Sequence, residues 1–559
     1  MSSGMEPSQD LHGPGYEKRK KRVHSIALAT FLMVVGLTLS KGTGFLREIF
    51  VIQMFGGKMG TSIYSDAFYL GFQIPDLFFQ LLVGGAIQAA ITPTLARAIQ
   101  KRDIKRGWRS ISIFISVMAV VMLGTVLLGE LLADKVFPMI YLSDFLSPNH
   151  KQYSTETITL ATQLSKVLFP QVFFMMLAAL CIGILNAYRK FSSTAFGPTF
   201  YNILVVLSIV VLGGFSTQSV TNACIGITAA AGVYFLLQFV MARNEIRHFR
   251  FSLQIKDEGF RELLHLAIPT MISASIMQLN TIIISWFAGS FSEGTLTSLR
   301  NATTTWQLPY GIFAVAVGNV MLPSLSAHFA AGDNKASRSL LSSSLRNALF
   351  MTIPSTGLLF ILSSDVINGI FNWGHKYSPA AVQVTATILI GYCIAVIMQT
   401  FVFIYNQAFY AIGKTRVPLI NGVLTLILSP IFCNLFIGIF HGQSYAPVAL
   451  SLSYSLTSTI SAIVLIMLYR RNRKIAPAGI LPYLVRSALC LCVMFLIVFS
   501  LNMLPIHPYA KIPQLLWLAV RTFAGIGGYL LAARVMKMEE LQSFIDKLHR
   551  RKSNRTAYR

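Results

Sequence analysis

Charge is scarce in this chain of 559 residues: Asp, Glu, Lys and Arg together make up only 12%, whereas 54% of the residues are hydrophobic. The mean hydropathy is +0.61. Soluble domains carry about 25% charged residues, so an ordinary soluble enzyme or binding domain is excluded. Apolar stretches of about 20 residues, enough to cross a bilayer, recur along the chain. The sequence therefore predicts an all-α polytopic membrane protein.

Catalytic and metal-binding signatures are also missing from the sequence. It holds no G-x-S-x-G, H-E-x-x-H or Walker loop, and its cysteines lie in apolar runs without disulfide or metal-ligand spacing. We therefore predict no enzyme activity, no cofactor and no metal site. We expect every cysteine to be a small buried residue, namely Cys181, Cys224, Cys393, Cys433, Cys490 and Cys492.

Positive charge, in contrast, is abundant in alternate loops. A net charge of +25 would indicate nucleic acid as the partner of a soluble protein. Here most Lys and Arg lie in every second loop and at both ends of the chain, which is typical of cytoplasmic loops. We expect no nucleic-acid partner. The even number of spans puts both termini on one side of the membrane, and the Lys and Arg residues predict that this side is the cytoplasm. About fourteen spans are predicted, near 25–55, 64–95, 110–137, 158–187, 195–214, 221–242, 262–289, 300–329, 347–366, 383–411, 417–440, 446–468, 483–503 and 514–535.

An internal repeat divides these spans into two halves. The segment "QIPDLFFQLLVGGAIQAAITPTLA" (73–96) and the segment "QLPYGIFAVAVGNVMLPSLS" (307–326) both begin Gln-apolar-Pro and end apolar-Pro-hydroxyl-Leu. Two copies of six spans would form parallel lobes around a central cavity, and the prolines Pro75 and Pro309 would bend the helices beside it. The predicted divisions are a basic tail (1–24), an N-lobe (25–242), a linker (243–261), a C-lobe (262–468), two extra helices (483–535) and a second basic tail (536–559).

Charged residues inside the spans are the candidate site. Each costs about 2.5–3.5 kcal/mol at the bilayer centre and usually marks a substrate or ion path, although ion pairs between packed helices would also explain them. We expect Arg47 to pair with Asp66, which leaves Lys41 beside the cavity, where Gly42 and Gly44 could let the helix bend. The other charges are Glu48, Asp76, Lys166, Arg300, Arg486 and Arg521.

An excess of cations facing a cavity predicts an anionic, phosphorylated substrate. Two of the other charges allow a second explanation: Arg300 and Arg486 lie near span ends, where they could reach the interface. Asp76, beside Pro75, could cap a helix or bind an ion.

The run "SKGTGFLREIFVIQMFGG…SDAFYLGFQIPDLF…GAIQAAITPTLA", together with "NQAFYAIGKTRVPLI", resembles the MurJ (MviN) family of lipid II flippases. This family lies in a superfamily with multidrug exporters of the MATE type. The resemblance implies a V-shaped fold of two lobes, a cationic cavity for a pyrophosphate-linked headgroup, and a groove for the polyprenyl tail on the last two helices. It also implies a multi-pass protein of the bacterial inner membrane.

By position, the resemblance implies substrate contacts for Lys41, Arg47, Glu48 and Asp66. The sequence departs from the family at four positions: the paired arginines of span two are Phe79 and Gln80, the acidic residue after them is Gly84, and the cavity arginine of span eight aligns with Thr304. Arg300 lies one turn earlier on the same face, and we expect it to substitute.

The resulting prediction is an alternating-access flippase for lipid II or a similar lipid-linked anionic intermediate. Membrane lipids are expected partners, and wall-synthesis enzymes are a further expectation. Transport would be driven by membrane potential or by a coupling cation, Na⁺ or H⁺. The alternatives are a flippase for another lipid-linked oligosaccharide, an ion-coupled exporter of cationic drugs, and a non-transport scaffold that recruits wall-synthesis enzymes through its basic tail. An exporter would favour carboxylates over Lys and Arg.

Overall fold

The computed structural model describes residues 35–36, 38–56, 62–83, 90–143, 153–188, 190–374, 376–471, 477, 479–506 and 510–542, and every regular element in these ranges is helical. The first helix, α1, covers residues 38–55. It is followed by α2 (Ile63–Leu82), α3 (Thr92–Gln100), α4 (Ile104–Tyr141), α5 (Thr155–Ala187), α6 (Phe191–Leu212), α7 (Thr217–Ile246), α8 (Glu258–Ala288), α9 (Thr295–Pro309), a π-helix (Tyr310–Val315), α10 (Ala316–Ala330), α11 (Asn334–Ile361), α12 (Ser363–Phe371), α13 (Pro379–Ala411), α14 (Arg416–Ile439), α15 (Val448–Arg470), α16 (Ile480–Asn502) and α17 (Lys511–Val535).

Short polar side chains begin many of these helices. Ser62 caps α2 by accepting hydrogen bonds from backbone amides of the first turn, and the Ser62 amide donates a hydrogen bond to the Ser65 hydroxyl oxygen. Asp103, Ser154 and Asp257 cap α4, α5 and α8 in the same way. Such caps satisfy amides that have no partner within the helix, so loop residues that look unremarkable in the sequence determine where the spans begin.

The predicted fold class is confirmed. Ten described helices are long and apolar enough to cross a membrane, and α11 with α12 forms a further candidate, bent by 85°. Three further spans come from α1, from α2 followed by α3, and from α8, which gives about fourteen spans in all. Residues 1–34, which contain the predicted first basic tail, lie outside the described residues, as do Gly84 and residues 543–559.

Two lobes surround a central cavity. In the first, α5 packs against α2, α4 and α7, and in the second, α13 packs against α9, α11 and α15. The helices α16 and α17 pair with each other on the outside of α11 and expose many apolar side chains. Helix α8 contacts both lobes, because it packs against α2 and α4 on one side and α14 on the other. The segment that joins α7 to α8 is 247–257, shorter than the predicted linker.

The cysteine prediction is wrong at one position. Five cysteines are buried, but Cys492 is exposed. Two residues on an α-helix are separated by about 200° around its axis, so Cys490 faces the protein and Cys492 faces away. Because α16 is peripheral, its outer face has no protein to cover it.

We call the two ends of the helix bundle the basic end and the far end. The basic end contains the segments 101–109, 243–250, 331–338 and 412–416, and the far end contains the starts of α2, α5 and α9 with α12.

Candidate substrate cavity

A cavity of about 750 Å³ lies between the lobes. Its walls come from α1, α2 and α8 on one side, and from α9, the π-helix, α13, α14 and α15 on the other. Among the described residues that line it, the charged ones are Arg47, Asp76 and Arg300. A cavity of this size and lining is typical of a ligand site.

The two cavity arginines are connected through a buried carboxylate. Arg47 Nη2 lies 2.7 Å from Glu48 Oε1, and Tyr69 donates a 2.7 Å hydrogen bond from its hydroxyl to Glu48 Oε2. The guanidinium of Arg300 lies 5.8 Å from the centre of the Tyr69 ring. Glu48 itself is 2% exposed and does not line the cavity. It therefore orients Arg47 and Tyr69 from a buried position outside the cavity lining.

The guanidinium group of Arg300 has fewer polar partners than that of Arg47. No salt bridge to Arg300 occurs within the described part of the chain, and its Nε is buried without a hydrogen-bond partner there. A buried unpaired donor costs about 1–3 kcal/mol, and more when it is charged. Arg300 lines the cavity, whereas Thr304, the position that aligns with the family's arginine, does not.

Lys41 lies outside the cavity lining. Its side chain is exposed on α1, and a Cβ added to Gly311 of the π-helix would lie 3.0 Å from its Nζ. Gly42, next to it, has nothing within 4 Å of an added Cβ, while Gly44 approaches Asn202 of α6. A direct contact between the cavity and Lys41 therefore stays a prediction.

The predicted ion pair between Arg47 and Asp66 is wrong. Asp66 instead accepts hydrogen bonds from the Gly294 amide (2.7 Å), the Thr297 amide (2.9 Å) and the Thr297 hydroxyl (2.6 Å). The carboxylate of α2 thus caps the N-terminus of α9, in the other lobe. The free amides and the positive end of the helix dipole favour a carboxylate there, and Arg47 already has Glu48 as its neighbour.

The two proline hinge candidates differ in their surroundings. Pro75 lies inside α2 and is buried. Pro309 ends α9, and the π-helix starts at the next residue, Tyr310. A proline removes a backbone donor, and π-helical turns are frequent at functional sites. Trp306 and Tyr310, on either side of this junction, both line the cavity.

Aromatic and amide side chains make up much of the cavity wall, and apart from Gln80 the sequence prediction did not include them. They include Tyr69, Gln73, Gln80, Trp306, Gln307, Tyr310, Tyr392, Gln399, Phe403, Asn406, Asn421 and Tyr454. Only the closeness of Trp306 and Tyr310 to Pro309 in the repeat could have pointed to them, because their partners come from distant helices.

Metal binding has no support in the described ranges, where no group of three His, Cys, Asp or Glu side chains could hold an ion. A coupling cation therefore stays a prediction. Asp76 lines the cavity and has no hydrogen bond or ion pair in the part described.

These features define a transporter of two helical lobes around a charged cavity. The fold is similar to that of a solved structure described as a lipid II flippase MurJ in an inward closed conformation, with a TM-score of 0.73, 21% identity, and coverage of 90% of this chain and 98% of the other. An inward-facing MATE family transporter of the MOP superfamily gives a TM-score of 0.58 at 14% identity, covering 79% and 98% of the two chains.

Sequence comparison adds the family. The profile described as lipid II flippase MurJ matches residues 57–519, so this chain belongs to the lipid II flippase MurJ family. A probable lipid II flippase MurJ of Buchnera aphidicola subsp. Acyrthosiphon pisum is 28% identical over 462 residues, 82% of this chain and 87% of the relative. A lipid II flippase MurJ of Burkholderia cenocepacia is 25% identical over 417 residues, 73% and 77% of the two chains.

Proposed function

We propose that this chain is a lipid II flippase, which carries a polyprenyl-pyrophosphate-linked peptidoglycan precursor from the inner to the outer leaflet of the bacterial cytoplasmic membrane. Family membership supports the substrate class. The observation that carries the proposal is the pair of arginines, Arg47 and Arg300, held in one cavity between the lobes. Guanidinium groups bind phosphate oxygens through several directed hydrogen bonds.

The basic end is proposed to face the cytoplasm, with both termini on that side, as the distribution of Lys and Arg favours. The headgroup would enter there, and its pyrophosphate would bind Arg47 and Arg300. The tail would stay in lipid beside α16 and α17, which expose Leu496, Phe523 and Val535 among other apolar side chains. Release on the other side requires the contacts of Asp66 with α9 to break.

The driving force is proposed to be the membrane potential or a coupled cation, Na⁺ or H⁺. A potential of 100 mV supplies about 2.3 kcal/mol per charge, enough to bias the movement of an anionic headgroup. Asp76 is the cavity carboxylate that could accept a cation. The proposal assigns no catalytic step to the protein, and a wall-synthesis enzyme as partner is a further proposal.

A second candidate function, export of a cationic drug, is favoured by one observation. Asp76 shares the cavity with several aromatic rings, and both attract cations. The two functions differ in what the arginines do, since they would repel a cationic substrate and bind an anionic one.

The test is replacement of the native lipid II flippase in a conditional bacterial strain. Wild-type protein is expected to support growth, and Arg47→Ala and Arg300→Ala are expected to abolish it at equal amounts of folded protein. Arg486→Ala, which removes an exposed arginine of α16, is the matched control and should support growth. Failure of the wild type to complement, combined with altered drug tolerance, would favour the exporter.

A further inference from the structure

One wall of the cavity is built from five aromatic residues of the second lobe. We call it the aromatic wall: Trp306, Tyr310, Tyr392, Phe403 and Tyr454, all of which line the cavity. The Trp306 ring centre lies 5.6 Å from that of Tyr310, 5.7 Å from that of Tyr392 and 5.9 Å from that of Tyr454. Three helices and the π-helix contribute, so the wall is made by the tertiary fold.

Packing accounts for part of this wall only. Trp306 is 3% exposed and belongs to the hydrophobic core. Tyr310 and Tyr454, in contrast, are partly exposed within the cavity, and their hydroxyls have no hydrogen-bond partner among the residues described. Because both residues line the cavity, their hydroxyls are polar groups available to a ligand next to apolar rings.

Orphaned polar atoms surround the aromatic wall. In the described part of the chain, Trp306 Nε1, Asn406 Oδ1 and Asn421 Oδ1 are buried without any hydrogen-bond partner, and all three residues line the cavity. Each such atom costs about 1–3 kcal/mol while it lacks a partner. Rings with donors and acceptors around them fit a ligand that has both apolar faces and hydroxyl or amide groups.

A sugar has this combination, because the C–H face of a pyranose ring packs on an aromatic ring while its substituents form hydrogen bonds at the edge. The spacing also fits a single ligand: Arg300 and Trp306 both belong to α9 and are six residues apart, about 9 Å along the axis. A ligand whose phosphate binds Arg300 could therefore place its adjoining sugar against the aromatic wall.

We propose that the aromatic wall, with Asn406 and Asn421, is a glycan subsite that binds the sugar part of the lipid-linked substrate. This proposal rests on the proposed function. The arginines bind the pyrophosphate, which every polyprenyl-pyrophosphate carrier has, and the aromatic wall recognises what is attached to it. The second lobe thus discriminates between a carrier lipid that bears sugars and one that does not.

The experiment measures binding of two lipids to the full chain in lipid nanodiscs. One is lipid II, and the other is undecaprenyl pyrophosphate, which lacks the sugars. Wild type should bind lipid II at least about tenfold more tightly. Tyr310→Leu and Tyr454→Leu should each weaken lipid II binding about tenfold, about 1.4 kcal/mol, and leave undecaprenyl pyrophosphate unchanged. Arg300→Ala should weaken both.

Controls separate the possible failures. Phe436→Leu removes a partly buried ring of α14, stacked on Phe440 away from the cavity lining, and should change neither affinity. If wild type binds both lipids equally, or if the tyrosine variants weaken both alike, the glycan subsite is refuted while the flippase proposal stands. If wild type binds neither lipid, the proposed function itself fails. The cation tetraphenylphosphonium is measured as a third ligand. If the tyrosine variants lose only tetraphenylphosphonium binding, the wall is a cation site and the glycan proposal is overturned.

Discussion

The far end and the basic end hold the two lobes together in different ways. At the far end, Asp66 is 1% exposed and each of its carboxylate oxygens accepts a bond from α9 or the residue before it. Nearby, the ring of Phe45 on α1 lies 5.7 Å from that of Phe371 on α12. At the basic end, ion pairs between the first lobe and the start of α8 are Arg97–Glu262 at 3.8 Å and Arg109–Asp257 at 3.2 Å, with exposed arginines in both.

The apolar contacts differ as well. At the basic end, Phe260 and Leu263 of α8 are buried in one cluster with Trp108 and Phe114 of α4. On the other side of the cavity, α1 and α10 leave the apolar side chains of Leu39, Leu46 and Val320 exposed. The far end is therefore closed by directed, buried hydrogen bonds, and the basic end is joined mainly along α8. We therefore expect removal of a single polar side chain to have a larger effect at the far end than at the basic end.

The largest expected effect comes from Asp66→Ala. It leaves two amides and one hydroxyl without their acceptor, which should weaken far-end closure by about 3 kcal/mol, a population shift of more than about a hundredfold. The measurement is the distance between spin labels on Gln218 and Ser444, exposed far-end residues of the two lobes, in a Cys492→Ser background. The distance distribution should move to longer values.

The control for this variant is Glu293→Ala, which removes an exposed carboxylate next to the same helix start. Its distance distribution should equal that of the wild type. An unchanged distribution in Asp66→Ala would mean that other contacts close the far end, and the comparison between the ends would lose its basis.

A smaller effect is expected for Tyr153→Phe. The buried Tyr153 hydroxyl donates a 2.5 Å hydrogen bond to the Ser285 carbonyl of α8. Loss of one such bond costs about 1 kcal/mol, so the same labels should report a shift of about fivefold. A shift as large as that of Asp66→Ala would place the main far-end contact at Tyr153 instead.

The smallest effect is expected at the basic end, for the double variant Arg97→Gln with Arg109→Gln. Exposed ion pairs contribute about 0–1 kcal/mol and are screened by salt. The thermal unfolding midpoint should fall slightly at low salt and match that of the wild type at 1 M NaCl. A large, salt-independent fall would show that the basic end depends on these pairs.

The fold was predictable because its signal is local. A run of about 20 apolar residues predicts a span wherever it occurs, and the two proline-containing copies predicted the lobes around the cavity. The bend between α11 and α12 was not predicted, because the span was placed by the length of its apolar run and the polar residues Ser363, Ser364 and Asp365 after Leu362 were not taken as a break. Partners of capping residues were equally hidden: nothing in the sequence places Asp66 beside the start of α9, more than 200 residues later.

The candidate site was predictable in its charges and not in its geometry. Arg47 and Arg300 are conspicuous because ionisable residues are rare inside spans, and both line the cavity. The choice of Glu48 rather than Asp66 as the partner of Arg47 depends on rotamers and helix rotation. The aromatic wall was invisible for a related reason, since aromatic residues are common in every span and only the tertiary fold brings these five together.

The most direct test of the account asks whether lipid II crosses the membrane through the arginine-lined cavity. In cells depleted of their own flippase, one would measure how fast newly made lipid II becomes accessible to an externally added, membrane-impermeant hydrolase. With this protein or its Arg486→Ala variant, lipid II should be cleaved, and with Arg300→Ala it should accumulate uncleaved. Cleavage at the wild-type rate in Arg300→Ala cells, at equal protein amounts, would contradict the account.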